Sequence, residues 1–223
     1  LAGIEDYTRI GSLLQPEQIV KYGELTLREN QIAYAEPSFF RLFDFELLKG
    51  DKKTCLSMPG QVVITERIAS KYFKDEDPIG KIFIFTGAYD KISCEVTGVM
   101  KEMPSNSHIH YSFLISYKSL PKYMQEYWYK HEAYTYVLLD SPERKAEIER
   151  EFPVMAEKYK TDEALKNKTW GVSLIPLADI HLTPQVGYEA ETKGNRSSMI
   201  ALIFAAIAIL AIAWINYINL TVA

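Results

Sequence analysis

The stretch that decides the architecture is SSMIALIFAAIAILAIAWINYINLTVA at residues 197–223, which contains no charged side chain. A helix rises about 1.5 Å per residue, so roughly 20 apolar residues span a hydrocarbon core of about 30 Å. The run from Met199 to Leu220 meets that length. The alternative is a helix buried in a large soluble core, but such a helix usually carries a polar stripe. The sequence therefore predicts a transmembrane helix.

The residues that flank this helix suggest how it lies in the membrane. Trp214 and Tyr217, with asparagines beside them, are typical of the belt at a membrane interface, where amphipathic rings prefer to sit. Lys193 and Arg196 flank the other end. We therefore expect the residues before them to form a polar body on one face of the membrane.

The composition of the 223 residues excludes several classes of protein. Hydrophobic residues make up 48% and aromatic residues 13%, which is enough to build a core. The net charge is −4, and acidic and basic residues are interleaved, so we expect no nucleic-acid partner and little attraction to anionic lipid. The first residues, Leu1 to Ile10, read as the middle of a domain, so we expect an earlier transmembrane helix upstream.

Strand patterns recur along the predicted polar body and are separated by turn residues. The first hairpin is expected to turn at Arg28-Glu29-Asn30. The predicted strands are Glu5–Ile10, the hairpin arms Gln18–Leu27 and Gln31–Ala35, Gln61–Ile64, Lys81–Phe85, Ile92–Met100, Tyr111–Tyr117, Ala133–Leu139 and Gly171–Pro176.

Helix signals fall at three places between these strands. A short helix is predicted at Pro37–Phe43, and a second at Glu66–Phe73 with Thr65 as its cap. Ser141-Pro142-Glu143 predicts the start of a third, because a capping hydroxyl precedes a proline and an acid. This helix continues to Lys160, and Pro153 is expected to kink or split it.

The third helix lies between two predicted strands, which favours a β-α-β unit with its two strands paired. Beyond the second strand, Ala178 to Arg196 carries few apolar residues and is expected to be an extended stalk into the membrane.

The two cysteines, Cys55 and Cys94, lack metal-ligand spacing and allow at most one disulfide. Cys94 lies in ISCEVTGV, where strict alternation places Ile92, Cys94 and Val96 on the inward face of a strand. We therefore interpret Cys94 as a small buried apolar residue. The spacing leaves open whether the two cysteines pair.

The histidines offer little for catalysis. His108 and His110 share one side of an extended segment, which suits two metal ligands. Zinc sites need three or four protein ligands, so hydrogen bonding within a loop is favoured. His181 follows Asp179, and Ser107 or Ser173 would complete a triad, but no GxSxG motif supports it.

The acidic pairs and the aromatic residues do not indicate a catalytic or ligand-binding site either. Glu24 with Glu29, and Asp75 with Asp77, are expected to be solvated charges in turns. The aromatic residues between Tyr111 and Tyr136 are interpreted as sheet and interface packing rather than ligand stacking. The sequence contains no GxxxxGK[ST] loop, so ATP would have to be handled elsewhere. We therefore assign no catalytic, cofactor-binding or metal-binding residue.

Four stretches, taken in order, resemble the periplasmic core domain of MacB-type ABC transporter permeases, followed by the start of an FtsX-like membrane domain. The four stretches are PSFFRLFDFELLKGD at residues 37–51, VVITE through DPIGK at residues 62–81, VTGV with PSNSH at residues 96–108, and DIHL at residues 179–182.

The resemblance implies an α+β extracytoplasmic domain over residues 1–196, with its N-terminal part truncated, and a transmembrane helix at residues 197–223. The domain would consist of two subdomains: a terminal part of β-α-β units and a mixed α/β part inserted at about residues 19–128. The helix would be the second of four in a permease. Lys193 and Arg196 would then lie outside, although positive residues usually mark the cytoplasmic side. We give the resemblance more weight than two charges.

The resemblance further implies a non-catalytic subunit in the bacterial inner membrane. Its partners would be a second permease copy, separate ATPase subunits and a periplasmic adaptor or partner protein, and ATP-driven motion would be coupled to the export or handling of a substrate outside the membrane. The alternatives are a membrane-anchored sensor with a pocket lined by Tyr127, Trp128 and Tyr129, and an anchored hydrolase.

Overall fold

The computed structural model describes residues 2–11, 17–87, 91–125, 133–160, 165–180 and 196–222. The chain divides into two compact units, Leu1–Ser173 and Leu174–Ala223. The first is a mixed α/β unit built on one sheet, and the second contains a long apolar helix.

The first unit contains ten strands and four helices in the part of the chain that is described. The strands are β1 (Ile4–Gly11), β2 (Gln18–Tyr22), β3 (Leu25–Glu29), β4 (Ile32–Ala35), β5 (Leu47–Lys49), β6 (Gln61–Thr65), β7 (Ile82–Thr86), β8 (Lys91–Met100), β9 (Phe113–Ser116) and β10 (Ala133–Leu139). The helices are α1 (Phe39–Leu42), α2 (Glu66–Phe73), α3 (Lys122–Gln125) and α4 (Arg144–Tyr159). These elements confirm the α+β class and most of the predicted strands.

The strand order is β10-β1-β4-β9-β6-β8-β7-β2-β3, and β5 also pairs with β8. The pairs β4–β9 and β6–β8 are parallel, whereas the others are antiparallel. Both β6 and β9 are buried on two faces, which explains their uninterrupted apolar runs. Val62 and Ile64 belong to one core cluster, and Val63, which points the other way, belongs to a second.

The order of the strands requires the sheet to curl. In the strand order, β3 lies six strand positions from β4. In a flat sheet with about 4.8 Å between neighbouring strands, the two would be about 29 Å apart. Only Asn30 and Gln31 join them in sequence, and this link reaches about 11 Å at most, at about 3.8 Å per Cα step. The sheet therefore bends until β3 returns close to β4.

Helix α2 covers the concave core. Its residues Ile68, Tyr72 and Phe73 are buried with Val20, Phe83 and other side chains of the curled strands. Thr65 caps the helix as predicted, since its hydroxyl accepts a hydrogen bond from the Ile68 amide at 3.5 Å.

Replacing the cap tests this assignment. We expect Thr65→Ala to lower the free energy of unfolding by about 1 kcal/mol, because the Ile68 amide loses its hydrogen-bond acceptor. Thr65→Ser retains the hydroxyl and should retain most of this stability. Urea unfolding of the full chain in detergent, followed by pulse proteolysis, measures both. Equal losses for the two variants would contradict a role for the hydroxyl.

The turn of the first hairpin lies at other residues than predicted. Strands β2 and β3 pair from Gln18↔Glu29 to Tyr22↔Leu25, so the chain reverses at Gly23-Glu24 instead of Arg28-Glu29-Asn30. Gly23 has a φ of +55°, which a tight hairpin turn favours and glycine readily adopts. The predicted second arm is β4, which pairs with β1 and β9.

The expected cap of α4 is also wrong. The helix begins at Arg144 and no side chain caps it; the backbone carbonyl oxygen of Ser141, not its hydroxyl, accepts a hydrogen bond from the Arg144 amide. Of the two effects expected of Pro153, a kink or a split, the split does not occur, because α4 continues past it as one helix to Tyr159.

The predicted β-α-β unit does not form. Residues 171–176 contain no strand, and β10 pairs along its whole length with β1 in an antiparallel ladder. Gly171 and Pro176 disfavour a strand at these residues.

The second unit carries α5, which runs from Arg196 to Val222. The stretch Met199–Thr221 is long and apolar enough to cross a membrane and has a mean hydropathy of 2.5. None of its apolar stretch is buried inside the protein. The helix confirms the predicted span, and its ends lie within one residue of the predicted ends, 197 and 223. Leu177–Asp179 forms a 3-10 turn before it, and residues 181–195 of the predicted stalk lie outside the described residues.

Candidate functional site

Two of the motif stretches meet at a cluster of rings that we call the aromatic junction, comprising Phe39, Phe43, Phe45, His108 and Tyr136. Phe39 stacks on Phe45 with centroids 5.5 Å apart, and Phe43 contacts the edge of Tyr136 at 5.0 Å. His108 lies between Phe43, at 6.4 Å, and Tyr136, at 5.5 Å. The junction thus joins α1, the loop between β8 and β9, and β10.

His108 of the motif and the nearby His110 both form hydrogen bonds. His108 Nε2 lies 3.0 Å from the Tyr136 hydroxyl, and His110 Nε2 lies 3.1 Å from the carbonyl oxygen of Pro104. The His110 contact confirms the predicted hydrogen bonding within the loop, whereas the His108 contact reaches strand β10. Across the described ranges, no group of three or more His, Cys, Asp or Glu side chains is placed to hold a metal ion.

The side chains of the junction have the electrostatics of a packed interior. Burial raises the pKa of the Tyr136 phenol above its usual range, and the neighbouring Tyr111 and Tyr134 act in the same direction. Ser107 Oγ accepts a hydrogen bond from the Ile109 amide at 3.1 Å, which closes a short loop turn. This arrangement is suited to holding strands in register.

The two cysteines are free, buried and in different core clusters. Burial raises the pKa of the Cys55 thiol to about 11 and that of Cys94 to about 12. Since the thiolate is the nucleophile, neither residue is activated.

Thiol labelling provides a test of this burial. At pH 8 a thiol with a pKa of about 11 is ionised in about one molecule in a thousand, so native Cys55 and Cys94 should react with iodoacetamide far more slowly than in urea. The rate should rise as the pH increases towards the raised pKa values. Stopped-flow or mass-spectrometric labelling measures it, and equal rates in native and unfolded protein would show that the thiols are exposed.

Glu29 is the polar residue that sequence reasoning misjudged. It was expected to be solvated, but it is buried on β3, and its Oε1 accepts hydrogen bonds from Lys71 Nζ at 2.7 Å and from the Tyr72 hydroxyl at 2.8 Å. The signal was available in the alternation Leu25, Leu27, Glu29, which places the carboxylate on one face of the strand with two leucines. The contact also raises the pKa of Tyr72, although burial is the larger cause.

Arg9 ties together several elements near the other edge of the sheet. Its Nε donates to Glu36 Oε1 at 2.9 Å, and its Nη1 donates to the carbonyl oxygen of Gln125 at 2.8 Å. The guanidinium lies 4.3 Å from the ring centre of Tyr117, a cation–π geometry. Arg9 thus fixes β1 against the end of β4 and against α3. No sequence pattern marked it.

Several predicted site residues lie outside the described residues. These are Tyr127, Trp128 and Tyr129 of the sensor alternative, and His181 of the hydrolase alternative. Asp75 and Asp77 are exposed, as expected, and the hydrogen bond from Lys49 lowers the pKa of Asp77.

The comparisons with known proteins agree on one fold. Residues 3–153 match the MacB-like periplasmic core domain family. A domain assigned to a permease of Porphyromonas gingivalis superposes with a TM-score of 0.62 at 22% identity, covering 73% of this chain and 74% of that one. No curated protein matches the sequence.

Two further solved structures show the same fold. The periplasmic region of MacB from Actinobacillus actinomycetemcomitans has a TM-score of 0.50 at 15% identity and covers 71% of this chain and 68% of that one. The extracellular domain of the noncanonic ABC-type transporter YknZ from Gram-positive bacteria has a TM-score of 0.50 at 17% identity and covers 73% and 80%. At these identities the likeness concerns the fold alone.

Proposed function

The chain belongs to the MacB-like periplasmic core domain family, and from that premise we propose that it is the extracytoplasmic part of an ABC transporter permease. The observation that carries the proposal is the succession of this domain and a helix long enough to span a bilayer. In this function the domain lies outside the inner membrane of a bacterium and is anchored by α5. Separate ATPase subunits act on the cytoplasmic side, and a second permease copy completes the transporter.

The domain couples motion and is not itself catalytic. Nucleotide-driven closure of the ATPase subunits rearranges the membrane helices, and the connection from α5 to the domain transmits that movement to a substrate or partner protein outside. A packed junction suits this role, because close-packed interiors have low compressibility and transmit strain. We propose that the aromatic junction keeps β10, the strand that precedes α4, in register with α1 and the β8–β9 loop.

The division of the domain is part of the proposal. We propose a terminal part built from β1, β10 and α4, and an inserted part at about residues 19–128 that handles the substrate or a periplasmic adaptor. Movement between these two parts would convert displacement of the helix into release or capture.

Co-purification tests the function. The full-length membrane protein is isolated in mild detergent, its partners are identified by mass spectrometry, and ATP turnover is measured. We expect a stoichiometric P-loop ATPase whose stimulation by the permease falls when residues 178–198 are loosened with inserted glycines. The same number of alanines inserted at the same position is the matched control, because it lengthens the connection equally and leaves the backbone less free than glycine does.

Two results would contradict the proposal. If no ATPase co-purifies and the protein runs alone or with a signalling protein, the chain is the anchored domain of a sensor. If the glycine and alanine insertions reduce turnover equally, the stiffness of the connection has no part in coupling.

A further inference from the structure

The curled sheet leaves a seam between its outermost strand and the strand to which it returns. Among the described strands, β3 pairs only with β2, whereas β4 pairs with β1 and β9. The two-residue link nevertheless keeps β3 and β4 close together. The seam between them is thus a line at which no described β-ladder holds the sheet closed.

On the β3 side of this seam, one charged contact ties the strand to α2; we call it the seam latch and define it as Glu29, Lys71 and Tyr72. Both donors reach the same carboxylate oxygen, at 2.7 Å from Lys71 Nζ and 2.8 Å from the Tyr72 hydroxyl. The Glu29 side chain is 7% exposed and that of Lys71 is 39% exposed. The latch therefore has two buried members, Glu29 and Tyr72, and one, Lys71, within reach of solvent.

A second contact holds the corner on the β4 side. Gln31 has a φ of +58°, a left-handed conformation that a residue with a side chain seldom adopts. Its carbonyl oxygen accepts a hydrogen bond from the Ser112 amide at 2.8 Å, and its Oε1 accepts one from the Ser112 hydroxyl at 2.8 Å. Arg67 Nη2 of α2 donates to the same hydroxyl at 2.8 Å. The chain is thus clamped to β9 immediately after it leaves the latch.

We infer that the seam is a conformational device: β3 and the Gly23 turn swing away from α2 when the latch releases, while the clamp at Gln31 keeps β4 in place. An ion pair with one buried partner is a poor way to make a permanent closure, since the buried carboxylate loses its hydration and well-packed apolar side chains of similar volume often stabilise as much or more. The Glu29–Lys71 ion pair is suited to a contact that opens and closes, because water can hydrate both charges once the pair is broken. Val20 and Phe83, in the core beneath α2, lie behind the seam.

Hydrogen exchange of the full-length protein in detergent tests the inference. In the wild type, β3 amides bonded to β2 should exchange through local opening, faster than those of β6 and β8. Tyr72→Phe and Lys71→Met should each accelerate exchange in β3 by roughly tenfold, the factor that one hydrogen bond to a charged group confers. Tyr7→Phe removes a phenol hydroxyl from an exposed ring on β1 and is the matched control.

The outcomes separate the device from a static contact. Acceleration confined to β2 and β3, with β1 and β9 unchanged, supports it. Unchanged exchange in β3, or equal acceleration in every strand through global unfolding, overturns it, as does the same response to Tyr7→Phe. The measurement needs no ATPase or substrate, so its result is independent of the proposed function.

Discussion

Phe39→Ala is expected to lower the free energy of unfolding of the first unit by about 3–5 kcal/mol, the usual loss when a buried phenylalanine is truncated. The side chain is fully buried, and its ring centre lies 5.1 Å from that of Phe40, 5.3 Å from Phe43 and 5.5 Å from Phe45. Removing it opens a cavity under the aromatic junction and leaves its neighbours without partner atoms. With a total stability of about 5–15 kcal/mol for a typical domain, the loss removes a large share.

Leu48→Ala is the matched control, because it truncates an apolar side chain on β5 that is 45% exposed. We expect it to change stability by no more than about 0.5 kcal/mol. Urea titration of the full chain in detergent, read by pulse proteolysis, gives both values on one scale. If Phe39→Ala were as mild as Leu48→Ala, the junction would not be a packed core.

The sequence was sufficient to predict those elements whose pattern is local. β10 was predicted with its observed ends, and α2 was predicted with its cap, because alternation and a capping threonine lie within a few residues of each other. The apolar span of α5 is likewise a local property.

What the sequence did not predict depends on partners distant along the chain. The curl of the sheet follows from the pairing of β2 with β7, strands separated by about sixty residues, and no local pattern encodes that pairing. The first hairpin was misplaced because the chain offers two turn signals, Gly23-Glu24 and Arg28-Glu29-Asn30, and the partner strands decide between them.

The candidate site shows the same division. His108 was recognised as a loop residue, but its contact with Tyr136 spans 28 positions and became visible only in the structure. Glu29 was judged by its charge, although alternation with Leu27 already placed it on the core face. Glu29 thus shows that a charged residue at a core position of an alternation marks a buried polar contact.

Gly50→Ala is expected to cost at least about 3 kcal/mol, because it combines an unfavourable backbone conformation with a steric clash. Gly50 has a φ of +98°, and a Cβ there would lie 2.4 Å from the carbonyl oxygen of Thr97 and 3.0 Å from the Cα of Gly98. Both glycines belong to the motif stretches behind the resemblance to MacB-type permeases, at residues 37–51 and 96–108. The two backbones approach so closely where β5 meets β8 that a side chain at residue 50 would not fit, which explains why this motif position is a glycine.

Gly23→Ala separates the two causes. Gly23 also has a positive φ, +55°, but nothing lies within 4 Å of its Cβ position, so only the backbone term of about 1–2 kcal/mol applies. The difference between the two variants in urea unfolding therefore measures the close approach of β5 to β8. A Gly50→Ala variant as stable as Gly23→Ala would mean that β5 can move away from β8 at little cost. In that case β5 would not hold Phe45, which precedes it, firmly against the sheet. The aromatic junction would then be too loosely packed to transmit movement.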